Sequence, residues 1–331
     1  MRRLIAALAL GTCAAARGEE IRIEVARGLR SARVEQGGRV QVVTAEKAPL
    51  AFLGPLRLDG RELPGKLELF ADRGRLLAVN TVDLEQYVAA VVASEVPPSW
   101  PAAALEAQAV AARTFAVAQK IASGPGARAH LGASVLDQVY TNAAAPPAAA
   151  LAAAQATAGQ VLTWGAAPIA AYFSASCGGV SESAESAFHL APGTTPYLRG
   201  GESDEDEHEW TVRVPLAEIT AALRKAGRLS AEVQGVRVES RTPSGRARTL
   251  RLETSAGPRR LPAVELRELL GYQRLPSLFF EVTEGSVFHG RGSGHGVGLC
   301  QWGARTRALR GEDWRRILAH YYPGAELRRM Y

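Results

Sequence analysis

The stretch that decides the fold runs from Val79 to Ala118, "VNTVDLEQYVAAVVASEVPPSWPAAALEAQAVAARTFAVA". Up to Val82 its apolar residues alternate in the strand manner, and from Asp83 the period lengthens to that of a helix. Asp83 is an N-cap residue with Gln86 three positions on, as in a capping box. Pro97-Pro98 predicts the stop just past Val96, because the residue before a proline is pushed out of the helical region. Ser99 is expected to open a second, longer helix, "WPAAALEAQAVAARTFAVAQKIA", whose many alanines allow close packing. On the first helix Leu84, Val88, Val91 and Glu95 share one face, while Glu85 and Gln86 point elsewhere. Glu95 therefore continues an apolar stripe. It also sits at the negative end of the helix dipole, and both burial and dipole are expected to hold its proton on. With Trp100 forming a wall beside it, such a carboxylic acid would suit glycosidic-bond cleavage as general acid. The residues alone leave a second reading open: a Glu at a frayed helix end, reaching water past two prolines.

Outward from this stretch, residues 20–80 hold short period-two runs such as "IRIEVA", "GRVQVV" and "KLELFADRGRLLAVN", broken by Gly, Pro and Asp-Arg-Gly turns. They predict a small N-terminal antiparallel β region. On the other side, "LDQVYT", "QVLTW" and "PIAAYFSA" read as strands and Ala148 to Thr157 as a helix. The acidic stretch "GESDEDEHE" reads as an exposed loop and a boundary. Strands ("WTVRVP", "VQGVRVES", "RTLRLETS") and helices ("LAEITAALRKAG", "AVELRELLG") follow, then "LFFEVTEGSVFHGRGSGHGVGLCQWGA" with two strands and a Gly-rich loop. Helices from about Leu299 and around "DWRRILAHYY" and a last strand end the chain. The expected fold class is α+β: a β-rich region at 20–80, then a central helical region and a β-rich C-terminal part closing a cleft over 81–331, with a β/α insertion at about 200–280.

The chain has 331 residues, room for two domains or one with insertions. Hydrophobic residues at 47% and charged residues at 22% exclude wholesale disorder, and no 20–50-residue repeat argues for a solenoid. The formal net charge is +6, carried by arginines with only Lys47, Lys66, Lys120 and Lys225 beside them. That charge fits an Arg-rich solvated surface, or a polyanion such as a cell-wall polymer; without a basic run interleaved with aromatics, nucleic acid is not the expected partner. Met1-Arg2-Arg3, the apolar Leu4–Leu10 and the small residues Ala14 and Ala16 read as an export signal over residues 1–16. Cys13 resembles a lipobox cysteine, so the expected location is the cell envelope or outside, with the membrane touched only through an N-terminal lipid anchor. No later apolar run reaches 18 residues.

Two further segments are candidates for chemistry. "GRGSGHGVGLCQWGA" sets five glycines around His295, which permits close approach of backbone to a ligand, with His295 and Gln301 as hydrogen-bond donors to a sugar. It equally fits a tight structural loop with a satisfied histidine. "YFSASCGGVSES" places Ser174, Ser176 and Cys177 at a turn. Cys177 with His295 raises a cysteine hydrolase, though nothing in the pattern sets Cys177 at a helix N-terminus to activate its thiol. The six histidines show no zinc spacing, and Asp204 to Glu209 lack the spacing of a calcium loop.

These segments resemble the stage II sporulation protein D (SpoIID)/LytB family. The likeness extends from about Ile21 to Tyr331 and rests on three stretches: Val79–Ala118, "DQVYTN" with "AYFSASCGGVSES", and "GRGSGHGVGLCQWGA". It implies a lytic transglycosylase that cuts peptidoglycan glycan strands between MurNAc and GlcNAc, preferring strands stripped of stem peptides, and leaves 1,6-anhydro-MurNAc ends. The family's catalytic Glu falls on Glu95. Trp100, Arg113, Ser176, Cys177, Tyr197, His295 and Gln301 are the expected substrate-binding residues. No cofactor is expected. Some members hold zinc just ahead of the Gln-Val-Tyr segment; here "HLGASVLDQVY" has no Cys and only His130, so no metal is expected there. Cys177 and Cys300, the pair left after processing, fit either a disulfide of an exported protein or two unrelated buried thiols; they lie in two different family segments and become neighbours able to bridge if both line one cleft. The LytB side of the family implies a competing role, a non-catalytic wall-binding activator of an amidase.

Overall fold

Residues 20–83 build two antiparallel four-stranded sheets. One has the order Glu20–Leu29, Arg75–Asp83, Lys66–Asp72, Leu50–Leu53; the other Arg39–Thr44, Ser31–Gln36, Leu56–Leu58, Arg61–Leu63. Alternate residues, among them Val34, Leu58, Leu67, Leu69, Leu76 and Ala78, are buried between them, as the period-two pattern predicts. The Asp-Arg-Gly turn is real: Arg73 and Gly74 take φ of 50° and 74°, the left-handed pair that suits a two-residue hairpin. The computed structural model describes residues 19–132, 140, 145–205 and 208–331. The export signal, Cys13 and all of the "LDQVYT" strand but Tyr140 lie outside the described residues.

The last of these strands runs straight into helix α1 (Leu84–Glu95), with Asp83 as cap, its carboxylate accepting from the Glu85 and Gln86 N–H groups. Helix α2 (Ala102–Ser123) begins later than the sequence predicts and is not opened by Ser99. Pro101 holds its cap position, and a residue ahead of proline avoids the helical region, so Trp100 stays in the connection. Helix α3 (Ala148–Ala156) completes a three-helix core. Small residues, Ala89 and Ala90 on α1, Ala109, Ala112 and Ala116 on α2, and Ala150, Ala153 and Ala154 on α3, are buried where the helices meet.

Strand Gln160–Trp164 lies between Ala167–Pro168 and Glu326–Arg329. The strand expected over Pro168–Ala175 is broken by short turns, in which the Ala171 and Tyr172 N–H groups donate to Ile169 and Ala170. Pro168 at its start pairs with Thr163, and beyond the turns Phe173–Ser174 pairs, in parallel, with Leu299–Cys300. Four helices follow α4 (Ala184–Phe188): α5 (Leu216–Lys225), α6 (Ala263–Leu270), α7 (Gln301–Leu309) and α8 (Trp314–Tyr321). Residues 209–291 form two three-stranded sheets with α5 and α6 around a core of their own, including Ile219, Leu223, Leu250, Leu252, Leu266, Phe280 and Phe288. The fold class is α+β. No helix among the described residues is long and apolar enough to cross a membrane.

Candidate active site

Helix α1 is buried all round through its middle, from Tyr87 to Val92, the predicted Leu84, Val88 and Val91 among its inaccessible residues, and Glu95, its last residue, is half-buried. Beyond it Val96 turns extended (φ −135°, ψ 145°) into the proline pair. Gln301, the first residue of α7, donates its amide N–H to Glu95 Oε2 at 3.2 Å and lies 3.4 Å from Gln108 Oε1 on α2. Both glutamines are buried. Three helices thus meet at one carboxyl group. The Gln108 amide nitrogen has no hydrogen-bond partner among the described residues, an uncommon state for a buried polar group.

The Gly-rich loop puts Gln301 there. Ser176 and Ser293 exchange both backbone hydrogen bonds, and Ser174 pairs with Cys300, so the Ser-Cys turn and the Gly-rich loop are laced together. Gly298 makes the crossing possible: at φ 68° a side chain there would strike the Tyr172 carbonyl. Cys300 then caps α7, its Sγ accepting from the Gly303 N–H at 3.4 Å.

Beside the acid, Trp100 and Trp302 meet edge to face with centroids 5.1 Å apart, and the His208 ring lies 4.3 Å from Trp302. The Arg305 guanidinium lies 5.3 Å from the Trp302 ring and 5.9 Å from the Trp100 ring. Both indoles are half-exposed. A partly exposed aromatic wall next to a carboxyl group is suited to the apolar face of a sugar ring.

The other expected site residues fall in three groups. Cys177 and Cys300 are neighbours, both buried and not bridged by a disulfide. The Cys177 N–H donates to Cys300 Sγ at 3.2 Å, and the Cys177 thiol donates to Asp204 Oδ2 at 3.6 Å. The two sulfurs and an Asp204 oxygen all lie within 4.8 Å of one another, a cluster of metal-ligating type among the described residues. Asp204, expected in a solvated acidic loop, is instead buried, accepting from the Tyr321 hydroxyl at 2.8 Å and facing Arg307 at 3.4 Å. Ser176 is buried, its hydroxyl accepting from the Gly178 N–H.

His295 is engaged within the loop. Its Nδ1 accepts from the Val297 N–H at 2.9 Å, it bonds the Phe173 backbone, and its ring packs on Phe188 and Tyr172. Desolvation, with Arg267 and Arg246 adding to it, pushes its pKa down to about 4, so the imidazole is neutral at neutral pH. With both nitrogens engaged it has none left to act as base for Cys177. Tyr197 receives the Ala170 N–H at 3.4 Å and stacks near Trp164.

Arg113 lies fully buried at the other end of α1. It donates to Glu85 Oε1 at 2.8 Å, to the Ala154 carbonyl at 3.0 Å and to Thr157 and Gln160 at 3.3 Å. Its place is structural, pinning α1 to α2 and α3. Burial pushes the Glu85 carboxyl up, but Arg113, the Tyr331 hydroxyl and the Gly159 N–H outweigh it and hold the pKa below the usual value. His130, lone in the segment where zinc was not expected, faces Arg22, and its pKa is pushed down to about 4 by burial and by the charges of Arg22 and Lys120.

The α1–α2 stretch and the Gly-rich stretch, which carry the resemblance, are thus the ones that meet at Glu95. Residues 72–164 match the family model described as stage II sporulation protein, and residues 198–298 match one described as a domain of unknown function. Over 282 residues the chain is 30% identical to stage II sporulation protein D of Bacillus amyloliquefaciens, an alignment covering 76% of this chain and 75% of that protein. The chain belongs to the SpoIID/LytB family. An uncharacterized protein of Brachyspira hyodysenteriae is 31% identical over 276 residues, covering 82% of this chain and 73% of the relative. The amidase enhancer of Bacillus subtilis is 26% identical over 297 residues, which is 72% of this chain and 39% of that protein. Sequence reasoning about this SpoIID-family chain missed Gln108, Trp302 and Arg305. The signal was present: Trp302 and Arg305 stand three apart, one turn of a helix, directly after Gln301.

Proposed function

We propose that this chain is an exported peptidoglycan lytic transglycosylase in which Glu95 is first general acid and then general base. The observation that carries the reading is Glu95 at the end of α1, held by Gln301, the residue that directly precedes Trp302 of the Trp100–Trp302 pair. An ordinary glycosidase needs two carboxylates. One suffices here. Glu95 gives its proton to the bridging oxygen as the bond from the MurNAc C1 breaks. The C6 hydroxyl of the same sugar attacks C1, and its proton returns to Glu95. The product ends in 1,6-anhydro-MurNAc, no water is consumed, and the acid is regenerated. Gln301 holds the carboxyl orientation through both steps. Two other acids near the helices, Glu85 and Asp204, are occupied by Arg113 and Arg307.

The likeness to an amidase enhancer favours a second reading, a wall-binding activator of an amidase. One experiment separates them. Peptide-stripped glycan strands are incubated with the wild type and with Glu95→Gln, and fragments are identified by mass spectrometry. The enzyme reading predicts anhydro-ended fragments from the wild type and none from Glu95→Gln, which still binds strands. No fragments from either, with stimulation of a cell-wall amidase by both, would establish the activator instead.

A further inference from the structure

We propose that Arg305 is the specificity determinant of this site, reading the free carboxylate that the lactyl ether of a muramic acid residue carries when no stem peptide is attached. The inference rests on the function proposed above and names the group on the substrate that the site selects.

Arg305 is half-buried and held against the Trp302 and Trp100 rings, yet it makes no ion pair or hydrogen bond to any described residue. The next arginines along the chain are ion-paired: Arg307 on the same helix by Asp204 and Glu312, and Arg310, just past its end, by Glu205. An arginine fixed over two indoles with no anion on it among the described residues presents a pre-oriented fork, and a carboxylate is its best planar partner. Position matters as much as charge. Arg305 follows Gln301 by four residues on α7, so it stands on the same helix face about 5–6 Å further along. Gln301 touches Glu95. A strand with its scissile bond at Glu95 and a sugar ring against the indoles would set that ring's substituents at Arg305.

In such a strand the aminosugars alternate, and only one kind bears a carboxyl group, on its lactyl ether. Attaching a stem peptide turns that carboxylate into an uncharged amide. Arg305 would then lose its charged partner, while the indoles would keep the sugar face. The site would thus distinguish stripped strands from substituted ones by one charge-assisted contact, with the aromatic wall indifferent to the difference.

The test separates binding from turnover. Glu95→Gln protein, which retains the wall, is titrated by calorimetry with peptide-stripped strands and with the same strands after carbodiimide amidation of their lactyl carboxylates. The expected result is roughly tenfold tighter binding of the free-carboxylate strands, the scale of one charge-assisted hydrogen bond. Adding Arg305→Gln abolishes the preference, both strands then binding as the amidated one did. Arg305→Lys, with the charge but without the fork, keeps only part of it. The same preference before and after Arg305→Gln, or no binding of either strand by Glu95→Gln protein, overturns the assignment. Fragment release by the wild type reports separately on the function: an Arg305-dependent preference without fragments leaves the subsite standing and removes the transglycosylase, and fragments with an Arg305-independent preference do the reverse.

Discussion

Glu85→Gln probes the device that aims α1. The buried Arg113 guanidinium has one charged partner, Glu85, and keeps the Ala154 and Gln160 carbonyls and the Thr157 hydroxyl when that charge is removed. Removing one member of a buried pair costs about 3–5 kcal/mol; with Glu85 still 24% exposed and three oxygens left to Arg113, the expected loss is about 2–3 kcal/mol. At about 2 cal/mol/K of unfolding entropy per residue, the 331-residue chain loses about 3–4 °C of Tm, and more if the helical core melts as its own unit. The acid profile carries the sign. The folded Glu85 carboxyl lies below its ordinary value of 4.5, so its contribution is complete above that pH and is lost as the pH falls through the folded value. Thermal melts of wild type and Glu85→Gln followed by circular dichroism should therefore differ at pH 7 and converge as the pH is taken down through the folded carboxyl's lowered value. Equal Tm values at pH 7, or a gap that widens in acid, would refute the reasoning.

Two further outcomes follow from the site. Gln301→Leu removes the amide that holds Glu95, so kcat for strand cleavage should fall roughly tenfold or more, the scale of a hydrogen bond to a carboxyl group, while strand binding holds; unchanged kcat would remove Gln301 from the mechanism. In protein purified without residues 1–16 and without reductant, a thiol reagent should find Cys177 and Cys300 unreactive in the folded state and both reactive after unfolding, and fewer than two thiols would contradict the unbridged pair seen here.

Much of the fold was legible because local signals and burial agreed. Asp83 caps α1 as its position predicts, and the Leu84, Val88, Val91 and Glu95 stripe faces inward. Other elements went astray where a competing rule was stronger. Ser99 is a good capping residue, but Pro101 bars the helix from Trp100 and moves the start of α2. The apolar run from Pro168 to Ala175 has the composition of a strand, yet it is split: Pro168 pairs locally with Thr163, and Phe173–Ser174 finds its partner in Leu299–Cys300, far along the chain. The same distance explains the site. Glu95 could be singled out from its own helix, whereas its contact with Gln301 spans 206 residues and depends on a Gly-rich crossing that no local period reports. Asp204 looked like one acid in a solvated run; its burial against Arg307 and Tyr321 is likewise a long-range fact. Arg113 carried a charge in a family segment and was read toward the substrate, but a guanidinium with Glu85 and three oxygens around it needs no ligand.

The central claim is that Glu95 directs the sugar's own hydroxyl, rather than water, to the anomeric carbon. Digesting stripped glycan strands in water enriched in oxygen-18 and weighing the fragments tests this most directly. The account predicts new ends that carry no heavy oxygen and are lighter than a hydrolysed end by one water. Heavy oxygen at the freshly made reducing ends would contradict it, whatever the rate of release.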